Sequence, residues 1–212
     1  MIIGKNNYND KGVNYMQYKC VSDQNLEFIS ILKKNKDLMN ILNYISDLNL
    51  PNFYIAAGSI FQTIWNYYDN KHLNFGIKDI DIIYYDSVNM SKEYEQALED
   101  RIVMHFRKLN MKYKFDIHNE ARMHLWKKAN ENKDIDQYKN SEDAIAQWIA
   151  TVHAVAITKE NDDIKVYAPY GLSDIFSRTI RPIKHKGNSK ELYEQKVKSW
   201  SSRFDNLNII EW

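Results

Sequence analysis

The chain has 212 residues, a net charge of +1 from 29 basic and 28 acidic side chains, and one cysteine. Balanced charge gives no whole-protein signature of a duplex-binding protein, and a lone cysteine excludes an internal disulfide framework or a multi-cysteine zinc site. The length is typical of one domain, and 44% hydrophobic residues are ample for a packed core. With no secretory pattern and no apolar run of membrane-spanning length, we expect a cytoplasmic protein that does not bind membranes.

The first half of the chain alternates helical and strand patterns. Residues 1–22 are polar and irregular and predict a loose N-terminal arm. Apolar residues at helical spacing predict two helices between residues 26 and 48. An apolar strand is predicted at 53–57, a helix at 59–68 and a buried strand at 78–85.

The remaining pattern predicts an α+β fold, a small mixed sheet flanked by helices. A core at 23–135 is followed by a helical and hairpin part at 136–212 that packs on it as one compact unit. The further predicted elements are helices at 92–109, 120–129, 142–150, 172–176 and 189–203, and strands at 112–118, 153–158 and 164–168.

The strand at 78–85 carries two aspartates inside an apolar run. Asp79 and Asp81 are two residues apart, so their side chains point to the same face, roughly 7 Å apart along the strand. Unpaired carboxylates buried among isoleucines would lower the stability of the fold by several kcal/mol, on the order of the cost of burying a polar group without a partner. If both carboxylates bind one divalent cation, that cost is removed. The pattern therefore predicts a metal site.

Two neighbouring segments complete the predicted site. Gly58 and Ser59 lie between a strand and a helix start, where backbone N–H groups bind phosphate. Asp116 lies in the strand at 112–118, which is expected beside the Asp79 strand. Three carboxylates suit one or two Mg²⁺ (or Mn²⁺) ions and a phosphoryl displacement. A solvated surface position is the alternative for Asp116.

The same residues carry a family resemblance. Gly58-Ser59, Asp79-x-Asp81 and Asp116 resemble the signatures of the polymerase-β-like nucleotidyltransferase superfamily, and the chain is similar to a subfamily of small bacterial nucleotidyltransferase-like proteins over about residues 25–210. The motifs shared with that subfamily are Ala57-Gly58-x-Ile60 with Trp65, Asn119 to His124, Ser141 with Ala144-Ile145, Ala168 to Phe176, Arg181-Pro182, and Tyr193 with Lys198-x-Trp200. The chain departs from it at Glu120, where the subfamily usually has Gln, and at 149–151, where it tends to have Pro-Glu-Thr.

The resemblance implies a metal-dependent enzyme that transfers a nucleoside monophosphate from an NTP to a hydroxyl acceptor, releasing pyrophosphate. It implies that Asp79, Asp81 and Asp116 are catalytic and bind Mg²⁺ or Mn²⁺, and that Gly58 and Ser59 bind the nucleotide. It extends the nucleotide-binding set to Asn119, Arg122 and His124. For Arg122, covering a helix is an equal alternative, and for His124 a hydrogen bond to backbone.

Other functions stay open. A non-catalytic nucleotide-binding module on the same fold would bind NTP without releasing pyrophosphate. A glycosyltransferase also holds a metal-bound nucleotide with Asp-x-Asp, but normally has a larger sheet before that motif. The acceptor is a small molecule, a protein side chain or an RNA end, and the charge balance gives no strong sign of nucleic acid.

Overall fold

A five-stranded mixed sheet forms the centre of the computed structural model, which describes residues 19–212. Its strands are β1 (Tyr54–Ala56), β2 (Asp79–Tyr84), β3 (Lys114–Asn119), β4 (Ala156–Glu160) and β5 (Asp163–Tyr167). They lie in the order β3-β2-β1-β4-β5, and only the β2–β3 pair is parallel. This is the mixed sheet that the sequence predicts. A two-stranded parallel pair, β6 (Thr179–Ile180) and β7 (Asn208–Ile209), lies apart from it.

Helices flank this sheet in the described residues. They are α1 (Val21–Leu32), α2 (Lys36–Asp47), α3 (Gly58–Tyr68), α4 (Lys92–Lys108), α5 (Met123–Glu131), α6 (Ser141–Ile145), α7 (Ser173–Phe176) and α8 (Lys190–Ser201), with a 3₁₀ turn at Glu120–Arg122. Asn35, Ser91 and Ser189 accept hydrogen bonds from backbone N–H groups in the first turns of α2, α4 and α8. Such N-caps satisfy donors that have no partner within the helix.

Three boundaries differ from the sequence prediction. Most of the predicted arm lies outside the described residues, but Val21 and Ser22 already belong to α1. The helix predicted at 142–150 stops at Ile145, because the chain turns so that Ala150 can pair with Pro182 in an isolated β-bridge. The strand predicted at 153–158 starts later, at Ala156, after that turn.

The β4–β5 hairpin extends the same sheet as the predicted core. Ile55 of β1 lies opposite Ile157 of β4, so the sheet continues across the boundary drawn at residue 135. Both residues are completely buried. The two parts of the chain therefore share one sheet, because the β1 edge left free by β2 is covered by a strand from the C-terminal half.

The parallel β2–β3 pair fixes the position of the acidic residues. Helix α4 is the crossover connection that a parallel pair requires. In the resulting register Asp81 lies directly opposite Asp116, and Asp79 opposite Lys114. On the other side of β2, Asp81 lies opposite Ala56, next to the start of α3.

No helix among the described residues combines the length and the apolar character that crossing a bilayer requires.

The side chain of Trp65 joins α3 to the C-terminal part. It is 1% exposed and packs edge-on against Phe61 and Phe204. Its indole N–H donates to the Ile175 carbonyl at 2.8 Å. Trp65 therefore stabilises the fold by burial and by satisfying a carbonyl that would otherwise lose its partner.

We expect Trp65→Ala to lower the free energy of unfolding by about 3–5 kcal/mol, since it leaves a large cavity. Trp65→Phe should cost about 1–3 kcal/mol, because it removes the hydrogen bond to Ile175 and part of the ring. Urea unfolding measures both. Trp126→Phe is the matched control, since Trp126 is 46% exposed and should change stability by less than about 0.5 kcal/mol. Equal effects at the two positions would contradict this account.

Candidate active site

Three carboxylates line one cavity of about 400 Å³ beside the start of α3. Asp79 and Asp81 come from β2 and Asp116 from β3, and Gly58 lines the same space. The alternation of β2 and the parallel register of β3 bring these side chains to one face of the sheet. Asp116 is therefore a cavity residue rather than an isolated surface position.

Asp81 is the most perturbed of the three carboxyl groups. Its side chain opens onto the cavity but is otherwise enclosed by protein, and this burial raises its pKa to about 6. The neighbouring Asp116 and Asp79 charges raise the pKa further, while Lys196 opposes the shift. The protein thus holds a carboxylate where its charge is poorly compensated.

Asp116 has a cationic partner of its own. The Lys114 ammonium lies 2.8 Å from one oxygen of Asp116 and 3.0 Å from the other. Lys114 is mostly exposed, so screening by water keeps this ion pair weak. A ligand that binds Asp116 can displace Lys114 at small cost.

The donor set suits Mg²⁺ chemically, although it does not form a ready-made cage. Within residues 19–212 no three His, Cys, Asp or Glu side chains are already arranged around a metal position. Mg²⁺ typically binds one or two carboxylates and takes its other ligands from water and substrate phosphates. Hard oxygens on Asp79 and Asp81, with the charge on Asp81 poorly compensated, fit that requirement.

The turn before α3 brings the backbone to the cavity. Ala57 has φ of 56°, a conformation that non-glycine residues rarely adopt. Its carbonyl accepts from the N–H groups of Ile60 and Phe61, so those of Gly58 and Ser59 are left at the helix terminus. The Ser59 hydroxyl donates to the Ala56 carbonyl at 3.2 Å and does not line the cavity. A phosphate would therefore meet backbone rather than the serine hydroxyl.

The opposite wall comes from α8 and the residues that follow it. Lys196, Ser199, Ser202 and Arg203 line the cavity. Arg203 donates to the side-chain carbonyl oxygen of Gln62 at 2.8 Å and to the carbonyl of Gly76. Two positive charges thus face the three carboxylates.

Gly76 lies in close contact with the Arg203 side chain. Gly76 has φ of +71°, and a Cβ atom there would lie 2.9 Å from Cδ of Arg203. A side chain at this position would strain the backbone and displace the Arg203 side chain, so glycine favours this contact.

His153 also lines the cavity and was not foreseen from the sequence. Its ring packs near Trp148 and Trp200, with ring centroids 5.3 and 5.7 Å away. Burial lowers its pKa to about 3, and the nearby Lys196 adds to the shift. His153 is therefore neutral over the physiological pH range.

Three residues assigned to nucleotide binding lie elsewhere. Asn119 donates to the carbonyls of Asp86 and Asn89 and accepts from the Asp86 and Ala121 N–H groups, so its amide is fully used within the protein. Arg122 forms an ion pair with Glu95 at 2.7 Å. Neither they nor His124 line the carboxylate cavity. The structure does not bring these three residues together with Asp79, Asp81 and Asp116.

The sheet thus places the aspartates of β2 and β3 beside the N-terminus of α3. A family model described as "Nucleotidyltransferase" matches residues 43–209, and the chain belongs to that family. A solved NMR structure, described as revealing a CCA-adding enzyme head domain, is 28% identical. It covers 94% of this chain and 100% of its own, with a TM-score of 0.75. The fold is thus polymerase-β-like. No curated protein matches this chain.

The raised pKa of Asp81 predicts that removing its charge stabilises the metal-free protein. The native state binds the proton more tightly than the unfolded chain does, so stability falls as the pH rises from 3.8 to about 6 and stays reduced above that. Asp81→Asn should raise the free energy of unfolding by about 1–3 kcal/mol at pH 7.5 and leave it unchanged near pH 3.5.

Urea unfolding at the two pH values, in buffer containing EDTA, measures this effect. Asp100→Asn is the control, because Asp100 is exposed on α4 and should change stability by less than about 0.5 kcal/mol. An Asp81→Asn protein that is less stable than wild type at pH 7.5 would contradict the assignment of a buried, uncompensated charge.

Proposed function

We propose that this protein transfers a nucleoside monophosphate from an NTP to a hydroxyl group and releases pyrophosphate, with Mg²⁺ or Mn²⁺ as cofactor. The observation that supports this most is the shared cavity of Asp79, Asp81, Asp116 and Gly58. Carboxylates beside a helix N-terminus combine a cation site with an anion site, which is what a metal-bound triphosphate needs.

The donor phosphates would bind at the Gly58 side of the cavity. The helix N-terminus offers backbone N–H groups and a favourable dipole, and Arg203 offers a guanidinium next to Gln62. Ser199 and Ser202 add hydroxyl donors on the same wall. These groups stabilise the charge that builds up on pyrophosphate as it leaves.

Asp79 and Asp81 would hold the cation, with Asp116 completing the ligand set or accepting the proton of the attacking hydroxyl. A bound divalent cation neutralises phosphate charge and lowers the pKa of a coordinated hydroxyl. Lys114 holds the Asp116 side chain in position until the substrates arrive. Most of the catalytic effect is positioning and electrostatic stabilisation, as in other phosphoryl transfers.

A non-catalytic nucleotide-binding module is the second candidate. The observation in its favour is the Lys114–Asp116 ion pair, which fills one acidic position with a cation of the protein itself. In that case the protein would bind an NTP without consuming it. Pyrophosphate release distinguishes the two functions.

We expect Asp81→Asn and Asp116→Asn to abolish pyrophosphate release, lowering the rate by at least about 100-fold, because each removes charge that stabilises the transition state. The assay follows pyrophosphate from each of the four NTPs with Mg²⁺ or Mn²⁺ and a pool of hydroxyl compounds. Asp100→Asn should keep the wild-type rate. Full activity in Asp81→Asn would refute the assignment, and NTP binding without turnover by wild type would favour the binding module.

Gly58→Ala should weaken NTP binding about tenfold, since a methyl group there blocks the backbone from the phosphates. A Cβ at this position would also lie 2.8 Å from Nε2 of Gln62. The Gln62→Ala background removes that collision. Isothermal titration of all three variants with a non-hydrolysable NTP measures the effect. A Gly58→Ala defect that disappears in the Gln62→Ala background would show that glycine only makes room for Gln62.

A further inference from the structure

A second cavity of about 290 Å³ lies next to the carboxylates. Asp81, His153 and Lys196 line both cavities, so the two spaces meet at these residues. The rest of the second cavity is formed mainly by the segment after β3, α5, the turn after α6 and α8. The nucleotide site proposed above does not use it.

The second cavity lies at the opposite end of the site from Gly58. Along β2 the wall residues run from Asp79 through Asp81 to Ile83, and the last of these lines only the second cavity. In an in-line displacement the attacking and leaving oxygens are on opposite sides of phosphorus. If pyrophosphate leaves towards Gly58, the attacking hydroxyl approaches from the second cavity.

Glu120 is an unsatisfied acidic group in this cavity. It is 2% exposed, and its Oε2 has no hydrogen-bond partner among the described residues. Two other charged groups of the wall have partners in the protein: Glu131 lies 2.9 Å from Lys133, and Lys127 donates to the Gly187 carbonyl at 3.4 Å. A buried carboxyl oxygen without a partner is costly. A ligand that donates to Glu120 removes that cost.

The walls around Glu120 favour a cationic donor. Trp126 and Trp148 line the cavity, and Trp126 is 46% exposed although it is large and apolar. Indole faces attract ammonium groups by cation–π interaction. Burial raises the pKa of Glu120 to about 8, because the charge of Lys127 offsets only part of the cost of desolvation.

We propose that the second cavity binds the acceptor, and that the acceptor is a small molecule carrying a protonated amine as well as the reacting hydroxyl. This rests on the proposed nucleotidyl transfer. The amine binds Glu120 and packs on the tryptophans, while the hydroxyl reaches the Asp81 end. The hydroxyl oxygen bonds to the α-phosphorus, the bond from phosphorus to the bridging oxygen of the β-phosphate breaks, and the proton passes to Asp116. Pyrophosphate takes the electron pair of the broken bond.

The test measures binding without nucleotide or metal. Matched pairs that differ only in amine and hydroxyl, glucosamine with glucose and serinol with glycerol, are titrated into the full chain, and tryptophan fluorescence is followed. We expect the amino member of at least one pair to bind at least about tenfold more tightly than its hydroxyl partner. Glu120→Gln should abolish this preference. Glu131→Gln should retain it, because Glu131 lines the same cavity but is paired with Lys133.

Three results would overturn the proposal. The first is that wild type shows no preference for the amino member of either pair, and the second is that the preference survives Glu120→Gln. The third is that ATP alone displaces the bound amine, which would assign the cavity to the nucleobase. If Glu120→Gln fails to fold, the wild-type preference and its competition with ATP still decide the question. Because the assay contains no NTP turnover, a failure of nucleotidyl transfer shows in the pyrophosphate assay alone and leaves the binding result unaffected.

Discussion

The site depends on the parallel pairing of β2 with β3. Asp79 and Asp81 share one face of the sheet because they are two residues apart on β2. The register that sets Asp116 of β3 opposite Asp81 brings a third carboxylate to the same face. That register requires a crossover, which α4 supplies. A shift of one residue in β3 would turn Asp116 to the other face and place Phe115 or Ile117 at the cavity. The buried positions of both apolar residues make such a shift expensive.

Holding these charges together destabilises the metal-free protein, and the surrounding cations limit the loss only in part. Lys114 pairs with Asp116, whereas Asp81 has Lys196 nearby and still shows a raised pKa. A fully neutralised site would be more stable but would bind a divalent cation less strongly. The incomplete compensation of Asp81 is therefore what one expects where stability has been traded for ligand binding.

The local patterns could be predicted from the sequence, but the convergence of distant segments could not. Alternation in residues 78–85 and the Gly58 turn identified one wall of the cavity, and the fold class followed from the order of elements. His153, Lys196 and Arg203 belong to segments without a chemical motif, and tertiary packing alone brings them to the site. Asn119 is the opposite case: it stands in a recognisable motif, yet its amide is used entirely within the protein, by the loop after β2 and by the Ala121 N–H.

His153 gives the two cavities a common boundary with a defined chemistry. It stays neutral because it is buried beside Lys196, so it adds no charge where donor and acceptor would meet. A neutral imidazole can donate or accept one hydrogen bond at each nitrogen, and its buried Nδ1 has no partner among the described residues. Glu120 has the same deficit on the far side of the second cavity. Two unsatisfied polar groups in the wall of one cavity indicate a site for a polar ligand, since burying them without a partner lowers stability.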